Sequence, residues 1–90
     1  MIQVETNSIK RVKDLYPNAK MYIDKVWSDD HGWVPIDEAF VSIDKPKIRS
    51  FKYLLNKFKK YGFNKVNLKI TKERSKPINS DFSINELVGV

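Results

Sequence analysis

Residues 44–71 read DKPKIRSFKYLLNKFKKYGFNKVNLKIT, and within them the spacing of apolar residues changes from about 3.6 to about 2. Asp44 can cap a helix, Pro46 is tolerated in its first turn, and Gly62 suits the position just past its end. On a helical wheel Ile48, Phe51, Leu54, Leu55, Phe58 and Tyr61 form one stripe. Lys45, Arg49, Lys52, Tyr53, Asn56, Lys59 and Lys60 gather on the other side. From Asn64 to Thr71 the pattern alternates, Val66, Leu68 and Ile70 against Lys65, Asn67, Lys69 and Thr71, as in a half-buried strand. Two consecutive apolar faces must each be covered, so this helix is expected to pack on this strand.

Upstream, Ile2 and Val4 alternate with Gln3 as a short first strand, and Asn7 or Ser8 can cap a helix from Ile9 to Tyr16 that Pro17 ends. Ala19–Ser28 is rich in strand formers. A strict period of two places Met21, Ile23 and Trp27 on one face and Tyr22, Asp24 and Val26 on the other. Ser28 to Gly32 reads as a hairpin turn, and Trp33–Ile43 as the returning strand, with Pro35 marking an edge or bulge and Ala39, Val41 and Ile43 facing the core. The resulting order predicts an α+β two-layer sandwich of ferredoxin-like βαββαβ type, or an irregular αββαβ domain if the first strand is dropped. Residues 1–76 are expected to hold this domain and 77–90 to form a loosely docked tail. Within the tail, Ser83 and Glu86 match a capping box for a short helix over 84–88.

Ninety residues suffice for one core. The absence of cysteine excludes disulfides, thiolate zinc sites and cysteine nucleophiles, and suits a cytoplasmic setting. No apolar run approaches the ~18 residues of a membrane span. His31 is the only histidine, which removes His-rich metal sites and leaves no evident acid–base pair, so neither catalytic residues nor a cofactor are expected. Gly32, Gly62 and Gly89 stand apart, so no phosphate-cradling loop is formed. Lys, Asn and Ile supply a third of the chain, a bias of AT-rich coding that suits a bacterium, its phage or another mobile element.

Charge is unevenly placed. Beyond Asp44, the stretch to Lys76 holds twelve Lys and Arg against the single acid Glu73, whereas residues 1–44 hold five basic and eight acidic groups. The net charge of +6 therefore resides in one block, which attracts polyanions. The residue types point to DNA or RNA as partner, with phosphates met by Lys45, Arg49, Lys52, Asn56, Lys60, Lys72, Arg74 and Lys76 and with Tyr53 placed to stack or hydrogen-bond. The open sheet face is the weaker candidate, because it would mix Lys65 and Lys69 with Asp24 and Glu38 and put Gln3 and Glu38 where stacking aromatics would stand. A different partner is an acidic or nucleic-acid-binding protein surface, as for a phage or mobile-element module that inhibits a host protein. Its anchors would be Trp27, His31, Trp33 and Phe40. The bland account of the two indoles is a cross-strand pair that seals the end of the core.

Overall fold

The computed structural model of the protein describes residues 2–4, 10–42 and 51–88. In chain order the elements are β1 (Ile2–Val4), α1 (Lys10–Leu15), β2 (Lys20–Ser28), β3 (Gly32–Pro35), α2 (Ile36–Ser42), α3 (Phe51–Lys60), β4 (Phe63–Thr71), β5 (Ile78–Ser83) and α4 (Ile84–Leu87). The chain is a small α+β protein with an antiparallel sheet of five strands and, among the described residues, four helices. β2 is its spine. One edge of β2 pairs with β4, and the other is shared end to end by β1, along Met21 to Ile23, and by β3, along Lys25 to Ser28. β5 completes the far edge against β4.

This strand order departs from the ferredoxin-like one, which would place the second strand at an edge rather than between two neighbours. Two local features account for the difference. Pro35 has no N–H to continue a ladder, and the acids Asp37 and Glu38 that follow it suit the positive end of a helix, so the chain leaves the sheet and forms α2. Ile36 and Ala39, one helical turn apart, are both buried; the strand expected over Trp33–Ile43 thus ends at Pro35 and continues as a helix as far as Ser42, and Ile43 lies outside the described residues. The second feature is the stretch from Ile78. Expected as a loose tail, it forms β5 in register from Ile78 opposite Ile70 to Ser83 opposite Lys65, then enters α4. The capping box is present: Ser83 Oγ accepts from the Glu86 N–H at 3.4 Å, and the Glu86 carboxylate accepts from the Ser83 N–H at 3.2 Å.

The core lies on one face of the sheet. Met21, Ile23 and Val26 of β2, Val66, Leu68 and Ile70 of β4 and Phe82 of β5 meet Val12, Ile36 and Ala39 of the first two helices. Phe51, Leu54, Leu55 and Phe58 of α3 and Ile84 and Leu87 of α4 complete it. The expected packing of α3 on β4 is present, and Phe58 meets Phe63 edge to face at 5.8 Å. Gly62, at φ +96°, ends α3, its N–H donating to the Lys59 carbonyl at 3.1 Å. Tyr61, predicted on the apolar stripe of α3, instead faces water at 50% exposure, as does Leu15 of α1 at 57%.

Two β-bulges set which way the outer side chains point. Ile23 faces Leu68 and Lys25 faces Asn67, so Asp24 is an extra residue on β2; Trp27 faces Lys65 and Ser28 faces Phe63, so Asn64 is an extra residue on β4. An extra residue reverses the alternation after it. Val26 is therefore buried, while Trp27, expected beside Met21 and Ile23, lies with Tyr22 on the face away from the helices.

Candidate nucleic-acid interface

On α3 the apolar stripe fixes the helix rotation, and that fixes what its back presents. Lys52, Tyr53, Asn56, Lys59 and Lys60 are all exposed, and no acidic residue occurs between Phe51 and Lys60. Lys52, Asn56 and Lys60 recur every four residues, a row about 12 Å long at the helical rise. Beside it the Lys57 ammonium lies 5.6 Å from the Tyr53 ring centroid. Lys45 and Arg49, expected to extend this row, lie outside the described residues.

The connection between β4 and β5 forms a second basic group. Lys72, Arg74 and Lys76 are exposed, and Arg74 adopts φ +62° in a turn where the Ser75 N–H and Oγ both donate to the Lys72 carbonyl, at 3.4 and 3.5 Å. Lys72 lies 4.9 Å from the Tyr16 ring centroid, over a cleft of about 290 Å³ that Leu15, Pro17 and Glu73 help to line. This group is carried by the β4–β5 connection and the first by α3.

The third group stands at the hairpin end of the outer sheet face. Trp27 and Trp33 face each other across β2 and β3, both half-buried, in an edge-to-face pair at 5.4 Å and 69°. The Trp27 indole N–H donates to Asp29 Oδ1 at 3.2 Å, and Asp29 Oδ2 accepts from the side-chain amide of the bulge residue Asn64 at 3.2 Å. Gly32, at φ +70°, closes the turn against the same indole; a Cβ there would lie 3.6 Å from the ring. The Trp27 ring is thus held on several sides. His31 is exposed in the turn and contributes its backbone N–H to Ser28 Oγ at 2.9 Å; the side chain of Phe40 lies outside the described ones.

The sequence placed Lys65 on the open sheet face but paired neither it nor Lys25 with an indole. Lys25 lies 5.2 Å from the Trp33 ring centroid and Lys65 5.2 Å from that of Trp27. Only the strand register pairs them with the indoles. Of the two acids that counted against this face, Glu38 belongs to α2 rather than to the sheet, whereas Asp24 stays on β2 as its bulge residue. Among the described residues no cluster of His, Cys, Asp or Glu is suited to a metal ion, and no helix is long and apolar enough to cross a membrane. No protein-family model matches the chain, and no match was found among curated proteins or solved structures.

Proposed function

We propose that the protein is a small nucleic-acid-binding domain of accessory or regulatory type, whose basic side chains hold the phosphate backbone. The observation that carries this reading is the acid-free outer row of α3, with Lys52, Asn56 and Lys60 exposed at one-turn intervals and Tyr53 beside them. Side chains at that pitch follow a backbone of negative charge, and each contact releases counterions. Lys72, Arg74 and Lys76 widen the basic surface. A second reading, a phage or mobile-element module that inhibits a host protein, is favoured by the half-exposed indoles at the hairpin, since tryptophan anchors protein interfaces.

The test is the salt dependence of binding. The double variant Lys52→Glu/Lys60→Glu replaces two exposed side chains and should leave the fold intact. It should weaken binding to every sequence and flatten the slope of log affinity against log salt by about 1.4 to 1.8, two contacts at 0.7 to 0.9 each. A variant that binds as tightly as the parent with the same slope would remove α3 from the interface.

A further inference from the structure

The outer sheet face holds an arrangement that a charge count does not reveal. β2 carries Tyr22 and Trp27, β4 beside it carries Lys69 and Lys65, and the register sets Tyr22 opposite Lys69 and Trp27 opposite Lys65. At the hairpin end Trp33 adds a second indole, with Lys25 over its ring. An aromatic strand therefore runs beside a basic one, over about 16 Å from Tyr22 to Trp27 at the strand rise.

We infer that this face binds single-stranded nucleic acid, an inference that rests on the nucleic-acid reading above and specifies the form of the ligand. Each nucleotide brings a flat base and a negative phosphate. The indoles and Tyr22 supply stacking surfaces, while Lys25, Lys65 and Lys69 supply the countercharge, with a length that suits roughly two or three bases. A duplex keeps its base faces stacked inside the helix and cannot use the indoles, so the chemistry selects single strands. The lysines over the rings are not an obstacle. A cation over a partly exposed ring is held weakly, and moving it off the ring toward a phosphate exchanges one electrostatic contact for a stronger one.

A second, independent feature lies at the centre of the same lane. Asn67, on β4 between Lys65 and Lys69, is 7% exposed; its amide donates to Asp81 Oδ1 at 2.6 Å, while its own Oδ1 is buried without a hydrogen-bond partner. A buried acceptor left unpaired is costly, and the exocyclic amino group of a base is a donor that would satisfy it once the side chains covering it move aside. Three carboxylates stand along or beside this path: Asp24, the bulge residue of β2 between Tyr22 and Trp27, Asp81, engaged with Asn67, and Asp29, engaged with Trp27 and Asn64. Asp24 and Asp81 oppose a passing phosphate by their charge.

The chain has only two tryptophans and both stand on this face, so the unmodified protein reports its own site. Oligo(dT) and oligo(U) of about 12 nucleotides, a length within the range of single-strand-binding modules, and a duplex of equal length would be titrated with two readouts, labelled-strand anisotropy and tryptophan emission. The inference predicts that both single strands quench the emission as they bind, with the pair of oligonucleotides separating DNA from RNA preference, and that the duplex does not quench. Trp33→Ala should weaken single-strand binding at least about five-fold and leave duplex binding unchanged. Lys65→Ala, at an exposed position, should lower the single-strand salt slope by about 0.7 without any question of folding, and Asp81→Asn should tighten binding at low salt. Single strands that bind by anisotropy with unaltered emission would overturn the sheet-face site and leave the nucleic-acid reading standing. Failure of every oligonucleotide to bind would overturn both, and quenching by a protein partner alone would assign the indoles to the second reading.

Discussion

Truncation after Lys76 separates a dispensable tail from an integral part of the fold. It removes β5 and α4, and with them the buried side chains of Phe82, Ile84, Leu87 and Val88. At about 1.5 to 3 kcal/mol for each large apolar side chain taken from water, their burial contributes roughly 6 to 12 kcal/mol. A chain of this length has a total stability of about 5 to 13 kcal/mol, so the loss is of the same size as the whole. The truncation also strips β4 of its partner along Lys65 to Ile70, exposing a strand edge whose backbone groups then lack protein partners. Circular dichroism should show a cooperative thermal transition for the parent and none for the truncated chain, which is also expected to aggregate. A truncated protein that melts cooperatively within about 5 °C of the parent, where 1 kcal/mol shifts the midpoint of such a domain by roughly 4 to 8 °C, would show that β5 and α4 contribute little.

Phe58→Ala empties a site that is wholly buried and edge-to-face with Phe63, and should cost about 3 to 5 kcal/mol in urea denaturation; a loss below about 1 kcal/mol would misplace α3. Gly62→Ala meets no atom within 4 Å of the new Cβ, so its expected cost of about 1 to 2 kcal/mol is that of the left-handed backbone alone, and an unchanged melting temperature would contradict the φ of +96°.

The sequence made the region from Phe51 to Thr71 plain because both periodicities there are long and clean. Over Ile36–Ser42 they are not. Ala39 and Val41 satisfy a strand alternation, while Ile36 and Ala39 satisfy a helical one, and seven residues are too few for the pattern to decide; the acids after Pro35 were the signal that favoured the helix. β5 was missed for a different reason. Its sequence, INSDFS, is polar because an edge strand needs only one or two core residues, here Phe82 above all, whereas the capping box beyond it was legible from Ser83 and Glu86 alone. At the candidate interface, the exposure of Lys52, Asn56 and Lys60 follows from the wheel. The orientation of Trp27 does not, because a one-residue bulge at Asp24 reverses every side chain after it, and no local feature of the sequence announces that bulge. The Lys25 and Lys65 contacts with the indoles depend on that reversal.

The central claim is that the basic block of the chain engages a phosphate backbone, and it is tested most directly by the affinity of the unmodified protein for labelled DNA and RNA between about 50 and 200 mM salt. Contacts from several lysines predict that log affinity falls steeply and linearly with log salt, with a slope of about −3 or steeper when four or more phosphates are neutralised. A slope near zero, or no binding even at the lowest salt, would contradict it.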